Sequence, residues 1–308
     1  MAKKILITGA NAGLGKESAR QFAEDEATEL IILGVRNLEK GAKAQRELEQ
    51  QTGRKIFELL KIDVSNVESV RKAVVDLKAN IDGLVLNAGG IGGATPMAKS
   101  KSGVTDIAAV NLLGHTVLVD ELIQQGKLSG VVVYAGSEVA RGVAKFGLQA
   151  PKFKEWSQIE FDRILNGSFF DEKVDPMVVY GYVKYLGTLW ISAQARLHPE
   201  IRFVTVSPGA TTGTEAAKDA NVFYKFLMRT KPGQALGGLF GLTHGLSVGA
   251  KRYVDVVNND SYQSGKFFGS KDPKSAVGEL ADQGLIDQKF YDQAIQKSLQ
   301  TAIAKYAA

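Results

Sequence analysis

The 308-residue chain contains no cysteine. Disulfides, thiolate metal sites and cysteine nucleophiles are therefore excluded, and the composition suits a reducing, cytoplasmic setting. Histidine is nearly as scarce. His115, His198 and His244 are the only three, and none pairs with another at metal-ligand spacing, so no metal site is expected. Long apolar runs are missing too: the most apolar late stretch, 235–250, is broken by glycines and by His244, too short and interrupted for an integral membrane segment. The first apolar run opens at about Lys3, which in this reading leaves no room for a signal peptide or anchor. Charge of one sign never gathers. The net charge is +5, but lysines and arginines are scattered among acids, and without a cluster no nucleic-acid footprint is expected.

What the chain does have is glycine in one telling place. Behind the apolar run Ile5-Leu6-Ile7 stands Thr8-Gly9-Ala10-Asn11-Ala12-Gly13-Leu14-Gly15, which reads as a buried strand, a glycine turn and the start of a helix. Gly9 permits a sharp exit from the strand, Gly13 lets backbone approach a phosphate, and Gly15 lets the helix pack close to the sheet. The helix N-terminus then offers open N–H groups and a positive dipole end to an anion.

Strands and helices alternate from there. A helix is expected over 16–27, a strand over 29–35, and a helix capped by Asn37 and stopped at Gly53. A strand over 56–62, a capping box at Ser65 to Glu68 opening a helix to about Ala79, and a strand over 81–86 follow. Next come a long helix over 103–125, a strand at Val131 to Tyr134, an irregular aromatic insertion over about 140–176, a helix over 177–197 and a strand over 201–206. Short helices at 222–228 and 246–257, a strand at 266–268 and a terminal helix over 286–306 complete the reading. This βαβ spacing argues an α/β fold, a doubly wound parallel sheet with helices on both faces.

Seven motifs in this order resemble the short-chain dehydrogenase/reductase family. They are the glycine turn; Asp63-Val64; Asn87-Ala88-Gly89; Asn111-Leu-Leu-Gly114; Ser137; Tyr180-Gly-Tyr-Val-Lys184; and Pro208-Gly209-Ala-Thr-Thr212-Gly-Thr214. Two departures stand out: Ala-Gly precedes Ser137, and the gap from Ser137 to Tyr180 is long. The gap and the C-terminal extension are more similar to the retinol-dehydrogenase and protochlorophyllide-reductase branches. The resemblance implies a Rossmann-type, three-layer α/β/α domain. It also implies a catalytic set of Asn111, Ser137, Tyr180 and Lys184, in which Lys184 also bonds the nicotinamide ribose and Asn111 supports a proton path. The nicotinamide cofactor would be held by Gly9, Asn11, Gly13, Leu14, Gly15, Arg36, Asn37, Asp63, Val64, Asn87, Ala88, Gly89, Tyr180, Lys184, Pro208, Gly209 and Thr212.

The residues carry chemistry of their own. A phenol with a pKa near 10 is a poor acid/base at neutral pH, and a lysine at i+4 would favour its phenolate. Of Tyr180, Tyr182 and Tyr185, only Tyr180 stands four residues before Lys184. Ser137, at the C-terminal end of a strand, can donate to a carbonyl oxygen that gains charge. Asn111 in mid-helix suggests a tertiary hydrogen-bonding task, and His115 reads as a packing residue. At the end of the second strand Val35-Arg36-Asn37 offers a guanidinium and no acid, which favours the 2′-phosphate of NADP over NAD.

The chain thus reads as one domain with an insertion at about 140–176, a substrate lid at about 211–231 and a C-terminal helical extension at about 271–308. The expected activity is NADP(H)-dependent interconversion of a carbonyl and an alcohol. Aromatic content in the insertion and at 222–228 suggests a bulky hydrophobic small molecule as substrate. A non-catalytic NADP(H) sensor on the same fold is the alternative, disfavoured because both Tyr180 and Lys184 are present. A homo-oligomer is compatible with the sequence.

Overall fold

The computed structural model describes residues 2–91, 93, 95–213 and 230–307. One eight-stranded sheet carries the fold, in the order β3-β2-β1-β4-β5-β6-β7-β8. The strands are β1 (Lys4–Thr8), β2 (Leu30–Val35), β3 (Phe57–Lys61), β4 (Ile81–Leu86), β5 (Leu128–Ala135), β6 (Arg202–Val206), β7 (Phe267–Ser270) and β8 (Leu280–Asp282). Each of the first seven pairs in parallel with its neighbours, and β8 closes the edge antiparallel to β7. The order reverses between β1 and β4, and a crevice opens there at the strand C-termini.

Alternate strand residues point to opposite faces. Ile5 and Ile7 of β1, with Val131 and Val133 of β5, join one core under α1 (Gly13–Phe22), α2 (Leu38–Thr52) and the helix Leu246–Asn258. Leu6, Val132 and Tyr134 join the other. That second core lies under α3 (Val67–Asp76), α5 (Gly114–Gln124) and α7 (Pro176–Leu197), with the terminal helix Gln293–Ala307 outside them. Among the described residues the other α-helices are α4 (Asp106–Ala108), α6 (Gln158–Leu165) and α8 (Lys231–Leu239); Leu246–Asn258 is α9 and Gln293–Ala307 is α10. The sheet between two helical layers is the expected three-layer Rossmann-type fold.

Several boundaries differ from the sequence expectation for local reasons. The first helix starts at Gly13, not Lys16, because the glycine turn winds directly into it, and it ends at Phe22. Asn37 caps α2 and Gly53 ends it with φ 70°, as expected. The cap of α3 is Asn66, whose side chain accepts from Glu68 N and Ser69 N, because Ser65 is held by the Asp63 carboxylate. The long helix begins at Asp106 and is interrupted by a π-helical turn, Ala109–Leu113. The insertion holds α6, and the terminal helix starts at Gln293 because Asp292 caps it, accepting from Ala294 N and Ile295 N. Strand β8 and helix α8 have too few periodic apolar residues to be read from sequence. The expected helix at 222–228 lies outside the described residues, as does Thr214.

Candidate active site

The crevice at the reversal point is a cleft of about 690 Å³ whose lining comes from β1, β2, β4, β5, β6 and α7. Its floor is the glycine turn. Gly9 has φ 68°, and a Cβ there would lie 3.1 Å from Ala88 Cα. A Cβ on Gly15 would lie 2.6 Å from Asn87 Nδ2 and 2.7 Å from Gly9 O, so this helix approaches the sheet closer than any side chain allows. The residue before α1, Ala12, supplies no side-chain cap. The first N–H groups of a ten-residue helix therefore face the cleft without a side-chain acceptor, as an anion such as a pyrophosphate requires.

Asn87, Ala88 and Gly89 are fixed from both sides. Asn87 Nδ2 donates to Thr8 O at 2.8 Å, and Ala88 N donates to Thr8 Oγ1 at 2.9 Å. From behind, Asn111 Nδ2 donates to Gly90 O at 2.7 Å and to Ile107 O at 2.8 Å, while its Oδ1 accepts from Gly90 N at 3.1 Å. Asn111 is fully buried and clamps this loop. A Cβ on Gly89 would lie 2.5 Å from Asn111 Oδ1, which is why the position takes glycine.

Tyr180 and Lys184 lie on one wall of the cleft with Ser137 at the end of β5. Lys184 is 2% exposed. Its Nζ donates to Ala135 O at 2.8 Å and lies 5.4 Å from the Tyr180 ring centroid. Burial lowers its pKa from the usual lysine range to about 7. The neighbouring tyrosines are occupied elsewhere: Tyr182 Oη donates to Lys152 O and accepts from Lys152 N, and Tyr185 Oη donates to Asp287. Ser137 Oγ accepts from Val139 N at 3.3 Å, a long contact that leaves its proton available to the cleft.

Arg36 lines the cleft at the end of β2 and is exposed; Asn37 beside it caps α2 instead of facing the cleft. Asp63 and Val64 line the cleft at the end of the neighbouring strand β3, with the Asp63 carboxylate accepting from Ser65 N and Ser65 Oγ. Asn11, Gly13, Leu14, Pro208 and Gly209 also line it. Gly15, Asn111 and Thr212 lie behind the surface. Thr212 donates to His244 O from both N and Oγ1, and Thr211 reaches the cleft in its place. The lining also includes Asp106, Ser207 and Tyr253, which sequence reasoning missed. Ser207 adjoins the Pro-Gly turn and could have been added, but Tyr253 comes from α9 with no local signal.

His115 is buried with Nε2 3.3 Å from Thr8 Oγ1; burial, then the nearby Lys184 charge, lowers its pKa to about 3. The rings of the insertion do not line the cleft among the described residues. Phe153 stacks on Trp156 (4.3 Å) and Tyr185 (4.9 Å), and Phe169 and Phe170 each lie 5.3 Å from Tyr182. They grip α7 on the side away from Tyr180.

Residues 3–148 match the family model described as short chain dehydrogenase. Over 130 residues the chain is 39% identical to the short-chain dehydrogenase/reductase prx1 of Penicillium roqueforti, covering 41% of this chain and 36% of that one. It is 32% identical to human retinol dehydrogenase 11 over 130 residues, 41% of this chain and 40% of that one. The match thus spans well under half the length of either relative. Among solved structures, a short chain dehydrogenase from Salmonella enterica serovar Typhi superposes with a TM-score of 0.60 at 19% identity, covering 86% of this chain and 94% of that one. An NADPH-bound carbonyl reductase from chicken fatty liver gives 0.56 at 16% identity, with 86% and 95% covered. With the fold, these findings place the chain in a known class of Rossmann-fold proteins. Over residues 3–148 the chain is similar to the short-chain dehydrogenase/reductase family.

Proposed function

We propose that the chain is an NADP(H)-dependent oxidoreductase that interconverts a carbonyl and an alcohol. The observation that carries this reading is the convergence on one cleft of Tyr180, Lys184 and Ser137 with the uncapped, glycine-built N-terminus of α1. The glycine turn and helix N-terminus hold the pyrophosphate, and Arg36 at the rim pairs with a 2′-phosphate. When bound, NADP(H) supplies or accepts the hydride. Ser137 donates to the substrate oxygen, and Tyr180 Oη gives that oxygen its proton in reduction or takes it in oxidation. Lys184, a cation when protonated, favours the Tyr180 phenolate left after donation and bonds the nicotinamide ribose. Asn111 acts through the loop it clamps. Retention of both Tyr180 and Lys184 argues against a non-catalytic sensor.

The substrate reading is a hydrophobic carbonyl or alcohol. It is supported by Ile91 and Val110 in the cleft lining and by the likeness to a relative named for retinol. We read the chain as one domain in which 140–176 is an insertion and 271–308 an extension. A lid at 211–231 remains part of the proposal, although 214–229 lies outside the described residues. Among the described residues no helix is long and apolar enough to cross a membrane, and the lack of cysteine suits the cytosol. The test is a panel of ketones, aldehydes and secondary alcohols followed by NADPH absorbance. Tyr180→Phe should abolish turnover and leave NADPH binding within about twofold, since only the proton donor is lost. A Tyr180→Phe protein that keeps most of its turnover refutes the assignment.

A further inference from the structure

Among the described residues the buried ammonium of Lys184 forms no ion pair with a carboxylate. Its Nζ meets Ala135 O at 2.8 Å, the face of Tyr134 with the ring centroid 4.8 Å away, and the more distant Tyr180 ring at 5.4 Å. Tyr134 is completely buried at the centre of the sheet, directed by strand alternation to the face that carries α7. A phenol is an unusual occupant there, and the structure makes room for it. A Cβ on Gly187 of α7 would lie 2.2 Å from Tyr134 Oη, so the helix carries a glycine where the ring's end arrives. The hydroxyl is anchored: it donates at 2.8 Å to the backbone oxygen of Asn111, within the π-helical turn that interrupts α4 and α5. His115 and Trp190 then close edge-on at 6.2 and 6.1 Å. The ring plane is fixed at both ends.

We propose that Tyr134 is a positioning residue whose ring face is the seat of the Lys184 ammonium, holding the lysine charged and aimed at Tyr180. The inference rests on Lys184 serving the site as proposed above, but its test does not depend on turnover. An aromatic face attracts a cation through its quadrupole, most strongly where water is absent. Burial alone drives a lysine towards neutrality, and Lys184 is at about 7. The groups facing it are Tyr134 from β5, Tyr180 from its own helix and His115 from α5, which is neutral above pH 3. None of them supplies a negative charge at neutral pH unless Tyr180 ionises. The ring face of Tyr134 and the Ala135 carbonyl are thus the permanent features opposing loss of the lysine proton.

The deciding experiment holds shape constant and varies the ring electronics. Position 134 is filled in turn by phenylalanine, 4-fluorophenylalanine and 3,4,5-trifluorophenylalanine through nonsense suppression. The Lys184 pKa is read from its side-chain ¹³Cε–¹⁵Nζ NMR signal, assigned by its loss in Lys184→Met. All three rings lack the hydroxyl, so the broken bond to Asn111 is common to the series, and thermal melts report which members are folded. The pKa should fall in order of fluorination, by on the order of one pH unit across the series. A Lys184 pKa that stays constant across folded members overturns the proposal. If the series does not fold, the wild-type protein still decides: the Lys184 Hε resonances must show the upfield ring-current shift of protons over an aromatic face, and random-coil shifts overturn it. A fluorination trend in a protein that proves to have no oxidoreductase activity would leave the seat standing and remove only the functional reading.

Discussion

Tyr180 is one of three tyrosines within six residues of α7, and what separates it is that it alone of the three lines the cleft. Tyr182 is locked to the Lys152 backbone and Tyr185 to Asp287, so the hydroxyls on those faces cannot serve a substrate. Arg36 is set apart in a comparable way. It ends β2 with no acid beside it, and its neighbour Asn37 is spent on capping α2, leaving the guanidinium to define that rim of the cleft. NADPH should therefore bind more tightly than NADH. Arg36→Ala should weaken NADPH by about 1.5–3 kcal/mol, nearer the lower figure because the site is exposed, with little change for NADH. Titration of both proteins with both nucleotides at low and moderate salt checks this, and equal wild-type affinities would refute it.

At the scale of elements, two close approaches deserve separate tests. The start of α5 presses against the loop after β3, where a Cβ on Gly114 would lie 1.7 Å from Val64 O. Gly114→Ala must push helix and loop apart, and a loss of about 3 kcal/mol or more in denaturant unfolding is expected. The aromatic insertion grips the outer side of α7 through Phe153, whose ring meets those of Trp156, Phe161, Tyr182 and Tyr185. Phe153→Ala should lower stability by about 2–4 kcal/mol while the KM for a small ketone stays within about twofold, because the ring is remote from the cleft. A large KM change with unaltered stability would put the insertion in the substrate site.

These elements also show what was legible in the sequence. Wherever one short segment decides the outcome, as in the glycine turn, the Asn37 cap and the Gly53 stop of α2, or the i, i+4 pair on α7, the residues themselves sufficed. Ser65 reads as a cap from the sequence, in which nothing says that Asp63 claims its hydroxyl. The aromatic insertion looked like pocket lining because composition cannot tell which side of a helix a folded loop will cover. Tyr253 in the cleft and Tyr134 beneath Lys184 depend on elements far apart in the chain meeting across the sheet. No local pattern encodes such meetings.

For the whole molecule, two buried bases make stability depend on pH in opposite halves of the scale. The unfolded chain protonates His115 near 6.5, but the folded protein holds it neutral down to about 3. Its contribution is therefore complete above pH 6.5 and is lost as pH falls towards 3, on the order of 3–5 kcal/mol. Lys184 acts with the same sign on the alkaline side of neutral. Its folded pKa of about 7 lies below the unfolded value of 10.5, so between those limits the unfolded chain binds more protons. Stability attributable to this residue must then rise with pH from 7 to 10.5, and the cost of burying its charge is full below pH 7. Chemical denaturation at intervals from pH 4 to 10 should show the alkaline slope in the wild type directly. Burial raises Asp120 to about 6 and tilts the acid window the opposite way, so the His115 slope is read as the difference between the wild type and His115→Gln, which should leave the alkaline limb unchanged. Lys184→Met should flatten the alkaline climb and be more stable than the wild type at pH 7, because a chain of similar length fills the space without a charge to desolvate. A Lys184→Met protein that is less stable at pH 7, with the alkaline slope intact, would mean the lysine is held for the fold. The opposite result means that stability is given up at this position to keep a titratable cation beside Tyr180.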